Sequence, residues 1–491
     1  MNRCTLRLLA CSYLVLLHLP STAFSQAEHE LAFARRVSQR LLLSHVRDLV
    51  QIGNRFGGTP SGDSSAAYIH RKFSAYGVKS RINPDPERIT YAHKRWLLRV
   101  HHPRSHRKVI KNEWLAGYSP STPLTICRVT FLDVGERIDP AVIDSGAILT
   151  PRFPDHKLYA ELVKAGVRAI LWYPDIPFNV YENHAYIGQL PLSKENLVPL
   201  FNISAGNGKA LRDIIQRDSL LSIEFLTQTE VFTGSPKTVV AEIKGKSDQY
   251  FMVCAHGDSD SGGPGADDNA SGMAGVLEVA RVLRSLIRDR RLPQPEYSIR
   301  FIVWGSEYFS SDHYVRSNSK ELDQIKGVIN FDQIGTGATR NCVYFESNEV
   351  PHNRTLLKVL EKVGEDYAGR KGFWEEATTN PSQGGTDSYV FLPDYLSRIK
   401  MPDVKIPSTT MFTGAWNEPR TYAQTPGWSS AAWKGDPDSV TVDYSEYYHS
   451  SMDIPRLTTD REPFNMAWAV KATGIALLRL AWEPQGSSRV E

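Results

Sequence analysis

The sequence predicts an α/β fold in which a mostly parallel sheet is flanked by helices and a second domain is inserted into the first. Four apolar runs support the sheet, because they are nearly continuous rather than alternating, as parallel strands covered on both faces are. A helical stripe of apolar residues over 271–289 separates the second run from the third, which implies a right-handed crossover between parallel strands. The runs are residues 239–245, 250–256, 297–305 and 327–332.

Helices are predicted at both ends of the chain that follows the first 25 residues. Apolar residues recur at intervals of three and four between residues 28 and 52, which predicts helix there. A second helix is predicted over Ser64–Tyr76, because Gly77 follows it and glycine is common just after a helix. The apolar stretch 463–482 predicts a last helix that packs on the sheet.

The residues between these parts differ in character and predict a separate domain. Residues 146–175 read GAILTPRFPDHKLYAELVKAGVRAILWYPD, in which a strand, a helix and a strand follow one another. We therefore divide the chain into N-terminal helices (26–85), an inserted domain (86–235) and a C-terminal domain (236–491) that continues the first.

The first 25 residues have the layout of a secretory signal peptide. Arg3 and Arg7 precede an apolar run from Leu8 to Leu19, and Ala23 and Ser25 suit cleavage before Gln26. The run is short for a bilayer-spanning helix, which needs about 20 apolar residues. We expect a secreted or periplasmic protein with no membrane span after cleavage; an uncleaved N-terminal anchor is the alternative.

Composition and charge favour no highly charged partner. The 491 residues have a formal net charge of +3, and 41% of them are hydrophobic. Such a balance gives no reason to expect nucleic acid as a partner, and it says nothing about the oligomeric state. The five cysteines include no CxxC pair, so a thiolate zinc site is not predicted.

Titratable residues follow the predicted strands at the points where the strands end. In open α/β sheets, sites form beyond the carboxyl ends of the strands, so we expect these side chains to converge. Imidazole and carboxylate groups without thiolates suit zinc or a similar divalent ion. The residues are His256, Asp258, Asp267, Asp268, Glu307, Asp332 and His449.

Three stretches, which come in the same order as in the family, resemble the zinc aminopeptidase and glutamate carboxypeptidase family of co-catalytic metallopeptidases. They are CAHGDSDSGGPGADDNASGMAGVLEVARVL, then IRFIVWGSEYF with GVINFDQIG, and finally YYHSSMDIP. The resemblance covers residues 236–485 and the N-terminal helices, and residues 86–235 resemble a protease-associated domain. It implies a zinc-peptidase-like fold, a peptide substrate and one or two Zn²⁺ ions per chain.

The resemblance also implies a role for each matched side chain. His256 and Asp332 would bind the first metal ion. Asp268 would bridge this ion to a second one, which His449 would also bind. Asp258 would be a catalytic-site residue that orients the imidazole of His256.

Tyr308 departs from the family pattern. Family members normally have two adjacent glutamates here, first the general base and then a ligand of the second metal, whereas Glu307 is followed by Tyr308. We align Glu307 with the base, because the other register spoils the match of the preceding strand. The second ion then has Asp268 and His449. A neutral phenol, with a pKa near 10, is a poor zinc ligand, and Asp312 or water are other candidates for the gap.

We therefore predict a secreted zinc-dependent exopeptidase with Glu307 as general base, and we favour an aminopeptidase over a carboxypeptidase. An aminopeptidase needs acidic groups to hold the substrate α-amine, for which Glu446 and Asp312 are candidates. The loop GGTDSYVF, with Asp387, resembles the support of the active-site mouth. Two alternatives stay open: a non-catalytic binding protein on a degenerate peptidase scaffold, which Tyr308 motivates, and a glutaminyl cyclase-like transferase.

Overall fold

The structure is a computed structural model. It describes residues 26–482 except 103–104, 111–112, 144, 175–180, 219, 260–262, 336–341, 347–349, 375, 381–385, 413–414, 417–441, 444–446, 448 and 462. Its helices are α1 (Gln26–Arg36), α2 (Gln39–Gln51), α3 (Pro60–Ala75), α4 (Pro140–Ile143), α5 (His156–Lys164), α6 (Ala205–Arg217), α7 (Gly272–Arg288), α8 (Glu307–Ser317), α9 (Arg354–Tyr367), α10 (Pro393–Arg398) and α11 (Phe464–Ala481). Its strands are β1 (Lys79–Pro84), β2 (Arg88–His102), β3 (Ser105–Val109), β4 (Trp114–Leu115), β5 (Thr122–Phe131), β6 (Ala147–Thr150), β7 (Ala169–Trp172), β8 (Leu200–Asn202), β9 (Ser222–Gly234), β10 (Lys237–Ile243), β11 (Ser247–His256), β12 (Tyr297–Trp304), β13 (Ile325–Phe331), β14 (Cys342–Glu346), β15 (Glu376–Asn380), β16 (Ser408–Phe412), β17 (Ala415–Trp416) and β18 (Val442–Asp443).

The first sheet has eight strands in the order β1-β10-β12-β11-β13-β16-β14-β15. Its centre is parallel, since β12, β11, β13 and β16 all run the same way. Antiparallel pairs occur where β1 and β10 join one side and β14 joins the other. Helices pack on both faces, α7 and α11 on one and α8 and α10 on the other. The predicted fold class is therefore confirmed.

Strand β11 shows why the apolar runs are continuous. Phe251 and Val253 belong to the apolar core on one face of the sheet, and Met252 and Cys254 belong to the core on the other face. Successive side chains of a strand point to opposite faces, so a strand covered on both faces needs apolar residues at every position.

A second sheet of eight strands contains β2 to β9, in the order β3-β2-β9-β5-β6-β7-β8-β4. The predicted strand, helix and strand are present in it as β6, α5 and β7. The chain leaves the first sheet after Pro84 and returns at Lys237, and these two residues pair in the β1–β10 ladder. At this double crossing the N–H of Asp85 donates to the carbonyl of Pro236 at 2.9 Å. The assignment of 86–235 as a protease-associated-like domain stays a prediction.

The helical period between residues 28 and 52 is divided between two helices, α1 and α2. Ser38 lies between them with an extended backbone, and its hydroxyl accepts a hydrogen bond from the N–H of Leu41 at 3.3 Å. The N–H of Ser38 donates to Glu278 on α7 at 2.7 Å. A capping serine with this backbone starts a new helix even where the apolar period continues. Similarly, α3 begins at Pro60 rather than at the predicted Ser64, because Thr59 caps it.

Across the described part of the chain, helices fall short of the length and apolar character needed to cross a bilayer. The signal peptide predicted over residues 1–25 lies outside the described residues.

Candidate metal centre

Three strand ends present polar residues at one edge of the first sheet. His256 is the last residue of β11, Glu307 begins α8 shortly after β12, and Asp332 directly follows β13. Because β12, β11 and β13 are neighbouring parallel strands, their carboxyl ends lie side by side. These residues therefore lie at the carboxyl ends of the parallel strands, where the sequence pattern predicted them.

Asp268 reaches this edge from the loop that precedes α7. The backbone N–H groups of Asp267 and Asp268 donate to the two carboxylate oxygens of Asp453, at 2.9 and 3.0 Å. Asp267 is buried and accepts a hydrogen bond from the N–H of Gly335 at 2.8 Å, so it anchors the loop inside the protein. Sequence reasoning missed the role of Asp453, although the residue lies in the stretch YYHSSMDIP.

The carboxylate of Asp268 lies between two histidines. Its Oδ1 is 3.1 Å from Nε2 of His256, and its Oδ2 is 3.0 Å from Nε2 of His449. Asp332 Oδ1 is 3.6 Å from the same nitrogen of His256. One ligand atom from each of His256, Asp268 and Asp332 lies within 4.8 Å of the others, so these three residues are able to share an ion. The second oxygen of Asp268 is directed to His449, as a bridging carboxylate requires.

Asp258 fixes the orientation of His256. The Nδ1 of His256 lies 2.9 Å from the backbone carbonyl of Asp258 and 3.2 Å from its carboxylate Oδ1. With its hydrogen on Nδ1, the imidazole leaves the Nε2 lone pair facing Asp268 and Asp332. The same Oδ1 accepts a hydrogen bond from the N–H of Glu307 at 3.0 Å. One carboxylate thus positions both a predicted ligand and the predicted base.

Glu307 lies in a second group of acids, with Asp332 and Asp387, whose oxygens come within 4.8 Å of one another. Burial raises the pKa of Glu307 well above its ordinary value; the nearby imidazole opposes this, and the neighbouring carboxylates add to it. Burial also raises the pKa of Asp387 to about 6. Asp387 accepts hydrogen bonds from Asn330 at 3.0 Å and Thr386 at 2.9 Å. The structure places Asp387 beside the base, and the role of its loop in supporting the active-site mouth stays a prediction.

Tyr308 follows the base on α8, and the residue is 42% exposed. Its ring contacts that of Tyr389 edge-on, with the centroids 6.4 Å apart. Partial desolvation, together with the neighbouring carboxylates, raises the pKa of the phenol, which stays neutral. Asp312 is bonded to Arg316 at 2.7 Å and accepts from the hydroxyl of Tyr395, so these partners occupy it. Glu446, the other candidate for the substrate amine, lies outside the described residues.

The electrostatics of the group fit a metal cation. Burial alone would lower the pKa of His256, but hydrogen bonds to the surrounding aspartates raise it well above its ordinary value. Burial would raise the pKa of Asp268, but the two imidazoles lower it. Asp332 Oδ1 is buried and accepts no hydrogen bond from the described residues. A field that draws a proton onto a buried imidazole also attracts a cation, and nitrogen and oxygen donors suit zinc.

All of these side chains lie in a stretch that matches a known family. Residues 238–472 match peptidase family M28. This part of the chain is similar to M28 peptidases. The predicted resemblance to co-catalytic zinc aminopeptidases is thereby confirmed for this part of the chain. The matched residues begin in β10 and end in α11, so they include the central strands of the first sheet.

Curated relatives are similar over parts of the chain. Leupeptin-inactivating enzyme 1 of Streptomyces exfoliatus is 28% identical over 309 residues, which are 58% of this chain and 62% of that protein. Leucine aminopeptidase 2 of Trichophyton rubrum is 28% identical over 224 residues, 44% of this chain and 41% of that protein. The chain therefore spans about two fifths of the length of this fungal relative.

Solved structures show the same fold over most of the chain. A peptidase M28 precursor from Shewanella amazonensis superimposes with a TM-score of 0.61 at 17% identity, covering 94% of this chain and 98% of that one. BSAP, a zinc aminopeptidase from Bacillus subtilis, gives a TM-score of 0.58 at 19% identity, covering 91% of this chain and 96% of that one.

Proposed function

We propose that this protein is a secreted, zinc-dependent exopeptidase, and more specifically an aminopeptidase. The observation that carries the proposal is the carboxylate of Asp268, which lies within about 3 Å of imidazole nitrogens on both sides, at 3.1 Å from His256 and 3.0 Å from His449. His256, Asp268 and Asp332 would hold the first Zn²⁺. Asp268 and His449 would hold a second. The names of the aminopeptidase relatives support the substrate class.

The residues of the chain divide the chemistry between them. Bound zinc would polarise the peptide carbonyl and lower the pKa of a water molecule. Glu307 would accept a proton from the attacking water and deliver it to the leaving amine. A raised pKa suits this role, because the same group must both take up and release the proton. Asp258 would fix the positions of Glu307 and His256 relative to each other, because one of its carboxylate oxygens contacts both residues.

Replacing Glu307 by glutamine tests the assigned base. Glu307→Gln keeps the shape but removes the proton acceptor, so we expect hydrolysis of aminoacyl anilides to fall by about 10²–10⁴-fold. Zinc content, measured by elemental analysis, should be unchanged. Glu365→Gln, on the exposed face of α9, is the matched control and should keep full activity. Retained hydrolysis in Glu307→Gln would overturn the role of the base.

The second test is the number of Zn²⁺ ions that each chain binds, because Tyr308 stands where the family has a metal-binding acid. The ligand set at Asp268 and His449 lacks the acid that the family places next to the base, so we expect one tightly bound Zn²⁺ and a weaker second one. Tyr308→Glu should strengthen binding of the second ion, because it supplies a carboxylate. Zn²⁺ stoichiometry by elemental analysis after reconstitution measures this. A wild-type chain that binds no zinc would support the non-catalytic binding protein instead.

Blocked peptides distinguish the two ends of the substrate. An aminopeptidase cleaves peptides with an amidated C-terminus but not those with an acetylated N-terminus, and a carboxypeptidase shows the reverse. We propose the first pattern.

The proposal of secretion rests on the layout of residues 1–25, and the N-terminal sequence of the exported protein should begin at Gln26.

A further inference from the structure

One predicted metal ligand is held by the second sheet. The hydroxyl of Tyr186, in the segment between β7 and β8, lies 3.3 Å from Nδ1 of His449. The N–H of Ile187 donates to the backbone carbonyl of His449 at 2.7 Å. Tyr186 also forms an isolated antiparallel bridge with Ser450. The segment between β7 and β8 therefore contacts both the imidazole and the backbone of this residue.

The backbone of His449 needs such support. Its φ is +46°, in the left-handed region that residues other than glycine rarely occupy. Conformations of this kind persist where surrounding contacts determine them. The hydrogen bond from Ile187, which belongs to the bridge between Tyr186 and Ser450, fixes the carbonyl of the strained residue.

Two aromatic residues between β7 and β8, or at the end of β7, fix the position of the Tyr186 ring and therefore of its hydroxyl. Its ring packs edge-on against Trp172, the last residue of β7, with the centroids 5.8 Å apart. It packs in the same way against Tyr181, at 5.2 Å. Contacts therefore run from β7 through Tyr186 to Nδ1 of His449, whose Nε2 faces Asp268.

The two histidines are thus held differently. Nδ1 of His256 is bound by Asp258, two residues along the chain, whereas Nδ1 of His449 is bound by a residue 263 positions away. We propose that Tyr186 is a positioning residue for His449, through which the second sheet sets the affinity for the second Zn²⁺ ion. This inference rests on the proposed metallopeptidase function, because it takes His449 as a ligand. Removing the hydroxyl should weaken the second ion and leave the first unaffected.

Zn²⁺ titration of the metal-depleted full chain, with chelator competition, tests the proposal. Partners that orient metal-bound histidines typically contribute 10–100-fold to metal affinity. We expect Tyr186→Phe to weaken the second Zn²⁺ by about that factor and to leave the first unchanged. Tyr159→Phe is the control, because it removes a buried hydroxyl that donates to the carbonyl of Val198 in the same part of the chain. It should leave both ions unchanged.

Further variants make the result decisive. Tyr186→Phe should have no added effect when His449→Ala is already present, because the two changes act on the same ligand. If the wild-type chain takes up one ion only, the comparison is repeated in Tyr308→Glu, where the second site gains a carboxylate. Equal weakening of both ions, or no effect, would overturn the proposal. A chain that takes up one ion in both backgrounds would also overturn it, while activity dependent on Glu307 would leave the proposed function standing.

Discussion

Asp453 shows how a single buried carboxylate shapes the site without facing a ligand position. Its two oxygens accept the N–H groups of Asp267 and Asp268, and the N–H of Ala266 donates to its backbone carbonyl at 3.0 Å. Burial raises the pKa of Asp453 to about 6. Three consecutive residues of the loop before α7 are therefore hydrogen-bonded to Asp453, which lies close to His449 in the sequence.

The first prediction at this scale concerns Asp453→Asn. The amide keeps the size of the side chain but has one acceptor oxygen, so one loop N–H loses its partner. A buried donor left unsatisfied costs about 1–3 kcal/mol, and we expect weaker Zn²⁺ binding because Asp268 is no longer held in place. Chelator competition measures the affinity. Asp289→Asn, just beyond α7, is the control, since that carboxylate lies at the surface with Arg36. Equal Zn²⁺ affinities in the two variants would contradict the argument.

At the scale of elements, α11 packs on α1 through a glycine. A methyl group added to Gly474 would lie 1.9–2.6 Å from ring carbons of Phe33, which is fully buried on α1. The close approach of these helices therefore needs a residue without a side chain at this position. Arg479 supports the same contact through hydrogen bonds to both carboxylate oxygens of Glu30, at 2.8 and 2.9 Å.

Gly474→Ala should therefore destabilise the protein. In an isolated helix alanine is favoured over glycine by about 1 kcal/mol, but inserting a methyl group into a packed core typically costs about 1–3 kcal/mol. The two effects have opposite signs, so the direction in which the midpoint of thermal unfolding shifts shows which effect is larger. We expect a lower midpoint of thermal unfolding, and partial recovery when Phe33→Leu is added. A higher midpoint would show that the helices move apart freely.

The elements that the sequence predicted well are those with one dominant signal. Strands β10 to β13 follow continuous apolar runs, and burial on both faces is the condition that produces such runs. The break at Ser38 was not predicted, because the apolar period continues through it. Glu278 on α7 binds the N–H of Ser38, and a contact between residues 240 positions apart leaves no local pattern.

The same contrast applies to the candidate site. His256, Asp268, Glu307 and Asp332 were predicted to converge because each lies at a strand end or just before a helix in a resembling stretch. Asp453 and Tyr186 were not assigned a role, since each contacts the site through folding of distant segments. The pairing of Tyr186 with His449 depends on how the two sheets meet, which no spacing in the sequence encodes.

At the scale of the whole molecule, two buried histidines, one on α2 and one in the second sheet, make stability depend on pH. Burial lowers the pKa of His45 to about 4, with the charge of Lys72 adding to the effect. Burial also lowers the pKa of His93, on β2, to about 4. His45 bonds to the hydroxyls of Tyr68 at 2.7 Å and Tyr76 at 2.8 Å, which suit a neutral imidazole.

We predict that His45 and His93 lower the free energy of unfolding as the pH falls from 6.5 to 4, because in this window the unfolded chain binds protons at these histidines and the folded chain does not. Asp387 and Asp453, whose pKa values burial raises to about 6, act in the opposite sense, so the histidine contribution is the difference between wild type and a histidine variant. The contribution is complete above pH 6.5, and each histidine adds a slope of at most about 1.4 kcal/mol per pH unit. Urea unfolding across this range measures the slope. His45→Gln should reduce it, and an unchanged slope would contradict the assignment.

The pairing of Pro84 with Lys237 has a consequence for how the two sheets are connected. Strands β1 and β10 run antiparallel as neighbours, so with the intervening residues left out they are the two arms of a β-hairpin. Asp85 and Pro236, already hydrogen-bonded, would form its two-residue turn. Residues 86–235 then lie within a hairpin loop, so their removal would leave the strand order of the first sheet unchanged. What such a deletion would remove is the tyrosine that holds His449.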